Sequence, residues 1–118
     1  MASAKVRVFN ETRGEVLADQ ADLADSFASR FWGLMGRSAL PHGSGLVLRP
    51  GGGIHTFGMR FPIDVLHLDA QTRVTHVVRG IVPWRLGPVF VGGAEAVELP
   101  SGAAAGTQVG DVITITSG

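Results

Sequence analysis

The chain contains no cysteine. That absence excludes a disulfide framework, a thiol nucleophile and any thiolate-held zinc or iron–sulfur centre. Net charge is missing as well, because ten basic and ten acidic residues cancel. Lys5 is the one lysine; the other nine basic residues are arginines, scattered singly along the chain. Guanidinium groups placed this way suit planar hydrogen bonding better than a diffuse cationic surface. Nucleic-acid recognition needs a basic patch, and no Lys/Arg run supplies one. Long apolar runs are absent too, and none approaches the roughly 18 residues a membrane-spanning helix requires. The opening stretch MASAKVRVFNETRGEVL lacks the apolar core and cleavage site of a secretory signal. The chain as it stands is therefore expected in the cytoplasm, with export of a longer precursor left open.

What is present is glycine and proline, 17 and 6 of them in 118 residues, breaking up short apolar runs. A chain of this length fits one domain, residues 1–118, with its own core. Its punctuation is that of a turn-rich β fold. KVRVF and EVLAD flank the turn-like NETRG and predict a hairpin over residues 5–19. Leu23, Phe27, Phe31 and Leu34 form an apolar stripe at helical spacing. That stripe predicts a short helix at about 26–35, with residues 21–24 still in a strand. Strands are expected through a β core at 45–99, including GLVLRP, IHTFGM, IDVLHLD, RVTHVV and AEAVEL, with DAQTRV as a tight hairpin loop. A short turn or helix at 101–108 and a last strand at 111–116 complete the chain. The expected fold is mainly β: a single-domain sandwich of jelly-roll type, or a partly closed barrel, with one or two short helices.

Several stretches carry residues capable of chemistry. RPGGGIHTFG (Arg49–Gly58) offers glycines, but they precede a strand and no lysine follows, so they read as a turn and not as a phosphate cradle. His55, His67, His76, Asp64 and Asp69 include metal-ligand types. They lack HxH, HxxxH or HExxH spacing, and His76 joins His67 only if strand register pairs them. No metal and no cofactor are expected on this basis. A dyad of His55 as base and Asp64 as orienting carboxylate requires their strands to be adjacent. The structural alternative has His55 on a backbone carbonyl and Asp64 capping the loop after Pro62. Trp84 and Arg85 stand in VPWRLGP, a loop between prolines. A flat apolar face beside a planar five-donor fork suits a ring bearing carboxylate or phosphate. Burial of Trp84 as a plug, with Arg85 paired to an acid, is the structural alternative.

RFWGLMGR (Arg30–Arg37), HTFGMRFPIDVLHLD (His55–Asp69), VELPSG (Val97–Gly102) and VGDVI (Val109–Ile113) occur in that order. Together they resemble the domain-of-unknown-function family 192, small prokaryotic proteins, over nearly the whole chain from about Arg13. The resemblance implies a compact, mainly β fold related to jelly-roll sandwiches. It also implies that the HTFGM–Pro–Asp segment lies near the Trp–Arg loop. It supplies no catalytic residues to carry over. Many relatives place a longer WMKNT-type insertion between the methionine and the Pro-x-Asp step, whereas MRFPID (Met59–Asp64) is compact here. Many also begin with an export signal that this sequence lacks.

The expected function is a non-catalytic binding module. His55, Thr56, Met59, Arg60, Asp64, Trp84 and Arg85 would surround a polar pocket for a small anionic ligand or a peptide. The alternatives are a small hydrolase or isomerase built on His55 and Asp64, and a homo-oligomeric interaction protein presenting an exposed apolar patch.

Overall fold

Period-two alternation, broken every few residues by glycine, proline or asparagine, folds this chain into strands. A computed structural model describes residues 5–24, 39–50, 60–82 and 94–117. In chain order the strands are β1 (Lys5–Asn10), β2 (Glu15–Ala24), β3 (Ser44–Leu48), β4 (Ile63–Leu68), β5 (Val74–Ile81), β6 (Glu95–Pro100) and β7 (Ile113–Ser117). They form one sheet in the order β5-β4-β6-β3-β2-β1-β7. Every neighbouring pair is antiparallel except β2 and β3, which run parallel.

The sheet curls until its two edge strands approach each other. Arg73 forms a bridge with Val112. The Val74 N–H donates to the Asp111 carbonyl at 2.8 Å, Gly110 N–H to the Val74 carbonyl at 2.8 Å, and Ile113 N–H to the Thr72 carbonyl at 2.9 Å. Backbone groups that a flat sheet would leave open at its edges are thereby paired at one end. Of the two architectures expected from the sequence, the partly closed barrel describes the molecule.

Both faces of the central strands are buried. Val8, Leu17, Val47, Leu66, Leu68, Val97, Leu99 and Ile113 pack inside the curl, and Leu46, Leu48, Ile63, Val65 and Ala96 pack with Leu40 on the outer face. All six positions of β4 are consequently buried. The strand shows the near-continuous apolar run of a two-sided element, interrupted by Asp64 and His67.

The β4–β5 ladder carries two irregularities. Ile63 pairs with Ile81 but Val65 pairs with Val78, so Arg79 and Gly80 stand opposite the single residue Asp64. His67 pairs with His76 but Leu68 pairs with Val74, which makes Thr75 an extra residue. Each is a β-bulge, a feature that bends a strand and re-aims its side chains. Gly80 supplies the positive φ, +67°, that the first bulge needs.

The turn between β4 and β5 is an Asp-centred loop. Asp69 Oδ1 accepts the N–H groups of Gln71 at 2.9 Å and Arg73 at 3.0 Å. Residues 101–106 form successive turns, with the Ala103 N–H donating to the Pro100 carbonyl and Ala105 N–H to the Gly102 carbonyl. Strand β2 continues to Ala24, and its last residues pair with Leu46 to Leu48. The helix expected at 26–35 and the strand expected at 54–59 lie outside the described residues.

Candidate functional site

The residues singled out in the sequence divide between described and undescribed segments. His55, Thr56 and Met59, together with Trp84 and Arg85, lie outside the described residues. Arg60 is exposed in the bend that leads into β4. Asp64 is 1% exposed and lies on the inner face of β4, two residues from Leu66.

The Asp64 carboxylate accepts three backbone amides. Oδ1 accepts the Gly80 N–H at 2.9 Å, and Oδ2 accepts the N–H groups of Gly102 at 2.9 Å and Ala104 at 3.1 Å. It therefore joins β4 to the bulge of β5 and to the turn after β6. The loop cap after Pro62 is not among these bonds. A buried carboxylate is tolerated when its oxygens take such donors, because they replace the water it has lost.

A second buried polar cluster closes the base of the barrel. Asn10 Nδ2 donates to Asp111 Oδ2 at 3.0 Å and to Thr107 Oγ1 at 3.2 Å. Arg13 Nε donates to Asp111 Oδ2 at 2.7 Å, and the Gln108 N–H donates to the same oxygen at 3.0 Å. The Arg13 hydrogen bond is the main cause that holds the Asp111 carboxyl down at about 2; burial opposes it, and Asn10 and Gln108 assist. Arg79 crosses the same opening to donate to the carbonyls of Ala104 and Thr107. None of these residues stood out in the sequence. An asparagine at a strand end and an aspartate after glycine both read as ordinary turn residues.

The register does bring two histidines together. His67 and His76 are directly paired, with ring centroids 6.3 Å apart and ring planes at 85°. His67 is wholly buried, and its pKa falls to about 4, first through desolvation and second through the neighbouring His76. Asp69 does not join them, because its carboxylate turns into the hairpin loop. Glu98, also missed in the sequence, stands between Leu46 and Val65 on central strands and is 4% exposed. Alternation in AEAVEL suggests a solvent-facing glutamate. Its place in the VELPSG motif was the available signal.

A shallow cavity of about 210 Å³ beside β2 is lined by Val16 to Asp19 with His42 and Gly43. No residue singled out for function in the sequence lines it.

Comparison with known proteins agrees with this architecture. A protein of unknown function from Novosphingobium aromaticivorans has the same fold, with a TM-score of 0.80 and 24% identity over 93% of this chain and 83% of that one. A protein from Sinorhizobium meliloti, provisionally described as a transcription regulator, gives a TM-score of 0.79 at 22% identity, covering 97% of this chain and 95% of that one. Among curated sequences, a UPF0127 protein of Thermococcus gammatolerans is 42% identical over 71 residues, covering 57% of this chain and 46% of the relative. Another, from Thermococcus kodakarensis, is 37% identical over 83 residues, covering 67% of this chain and 52% of the relative. The chain thus spans about half the length of these curated relatives. The family pattern described as "Uncharacterized ACR" matches residues 8–115, and the chain belongs to that family, DUF192.

Proposed function

We propose that this chain is a non-catalytic binding module for a small anionic ligand or a peptide end. The site lies at the end of the sheet where β4 begins and β5 finishes. The observation that carries this reading is the pairing of Ile63 with Ile81. Arg60 precedes Ile63 by three residues, and Trp84 and Arg85 follow Ile81 by three and four. A chain advances at most about 3.6 Å per residue, so covalent reach alone keeps all three within about 15 Å of that strand pair. Two guanidinium forks and an indole tethered this near to one strand pair would suit a planar anion, through bidentate hydrogen bonds and stacking.

The binding reading is favoured over an acid–base one by the state of Asp64. Three backbone donors take three of the roughly four acceptor positions of its carboxylate, so most of its capacity goes to holding a bulge and a turn. Thermal unfolding in the presence of carboxylates, sugar phosphates, nucleotides and short peptides tests the proposal. A ligand of the right class raises the midpoint, since whatever binds only the native state stabilises it. The rise is lost in Arg60→Ala and Arg85→Ala. No shift with any class at millimolar concentration overturns it.

A further inference from the structure

We propose that the cavity beside β2 is a binding site for a primary alkylammonium group, with Asp19 as its counter-ion, His42 as a neutral acceptor and Val16 as the surface for the alkyl chain. The site takes a ligand of opposite charge to the anion-binding reading and does not depend on it.

Two bulges in succession shape the cavity. Val8 pairs with Ala18 but Phe9 pairs with Val16, which makes Leu17 an extra residue. Val6 pairs with Ala21, so Asp19 and Gln20 stand opposite Arg7 alone. Strict alternation of side chains breaks down at such places. Leu17 and Ala18 both turn into the core, while Val16 and Asp19 stay exposed on either side of them. Among the described residues β3 joins β2 only from Gln20 onward, so this stretch of β2 borders the cavity and not a neighbouring strand.

The turn that carries His42 forms the other wall. The Ser44 N–H donates to the Pro41 carbonyl at 3.0 Å, and the Gly43 carbonyl accepts the N–H groups of Asp19 and Gln20 at 3.0 and 3.1 Å. The turn is thereby fixed to the second bulge. Gly43 has a φ of +89°, and a Cβ on it would lie 2.8 Å from Asp19 Oδ1. A glycine Cα–H therefore faces the carboxylate, and glycine suits both the conformation and the close approach.

Charge selects a cation for this place. Asp19 is the one carboxylate lining the cavity, and no lysine or arginine lines it. Arg7, opposite the bulge, lies over the Phe9 ring at 4.9 Å. Among the described residues no hydrogen bond or ion pair engages the Asp19 carboxylate or the His42 ring. With Oδ1 against the glycine, the carboxylate meets a ligand chiefly through Oδ2. One open oxygen suits the point charge of an ammonium better than the two-pronged fork of a guanidinium. It is too few for calcium, which collects about six or more oxygens. Val16 is 45% exposed at the rim and offers apolar surface to a chain. The volume of about 210 Å³ is below the roughly 300–1,000 Å³ of pockets for drug-sized molecules, so the site takes a single short chain.

The test uses the full chain, isotope-labelled and titrated with butylammonium, methylammonium, butylguanidinium, butyrate and a lysine capped at both ends, while amide shifts are followed by nuclear magnetic resonance. Butylammonium should shift the Asp19, Gln20 and Gly43 amides saturably, with the millimolar affinity expected of an exposed ion pair and a short apolar contact. Methylammonium, lacking a chain to lay on Val16, should bind about threefold more weakly or worse. Butylguanidinium should bind more weakly than butylammonium, and butyrate not at all. Asp19→Asn, at an exposed position, should weaken butylammonium about fivefold. Capped lysine binding as tightly as butylammonium marks a protein side chain as the source of the group. Binding of butylammonium without capped lysine marks a small free amine, and either result supports the site. Unchanged affinity in Asp19→Asn, equal shifts with butyrate, equal binding of methylammonium and butylammonium, or shifts that avoid Asp19, Gln20 and Gly43 would overturn the proposal.

Discussion

Asp64 Oδ1 accepts the Gly80 N–H at 2.9 Å across the β4–β5 pair, so a buried carboxylate holds a bulged backbone in place. The bulge gives β5 one residue more than β4 at that point, and Asp64 takes up the amide that the ladder leaves over. Its second oxygen draws in the turn that follows β6. One side chain thus holds together the end of the sheet where the proposed binding site lies.

Replacing Asp64 by alanine should destabilise the fold by about 3 kcal/mol or more, because three N–H groups then lose their acceptor. Asp64→Asn keeps an acceptor oxygen but not two, and should fall between wild type and alanine. Urea unfolding measures both. An alanine variant as stable as the parent would remove the structural role assigned to this carboxylate.

Two glycines should respond differently to an added methyl group. At Gly45 a Cβ would sit 2.9 Å from the Glu98 carbonyl oxygen and 3.2 Å from Leu99 Cδ2. Backbone cannot step aside cheaply, so Gly45→Ala should cost about 1–3 kcal/mol through overpacking. At Gly80 nothing lies within 4 Å, and only the +67° φ opposes the change. Gly80→Ala should therefore cost about 1–2 kcal/mol, the left-handed penalty alone. Chemical denaturation of the pair separates a steric cause from a conformational one.

Acid should weaken the base of the barrel through Asp111. Its native pKa of about 2 lies below its ordinary 3.8, so between those values the unfolded chain binds a proton that the native chain does not. Stability from this group is complete above about pH 4 and is lost as pH falls toward 2. Asp111→Asn should be less stable at neutral pH and should lose this part of the acid dependence. Denaturant titrations from pH 6 to about pH 2 show the difference. Parallel curves for the two proteins would contradict the assignment.

Leu66 is wholly buried inside the curl. Leu66→Ala should cost about 2–5 kcal/mol, combining lost transfer energy with the cavity left behind. A midpoint within error of the parent would mean that the inner face is not the main core.

Much of the fold is legible in the sequence because strand periodicity is local. The hairpin of β1 and β2, the paired β4 and β5 with their Asp69 loop, and the closing strand β7 follow from alternation and turn residues a few positions apart. The candidate site is less legible. Glu98 alternates as a surface residue does, yet it is buried because β6 lies in the middle of a sheet covered on both faces. Asp64 reads as a candidate catalytic partner, and its actual bonds go to amides 16, 38 and 40 residues away.

Composition and local pattern alone determined that this chain is one mainly β domain without thiol chemistry or any run of basic residues. Tertiary structure decided that β2 lies parallel to β3, that Asp64 holds a bulge, and that His67 faces His76. The reason is that register and bulges arise between strands. A single extra residue such as Thr75 changes which side chains meet without changing the alternation of either strand.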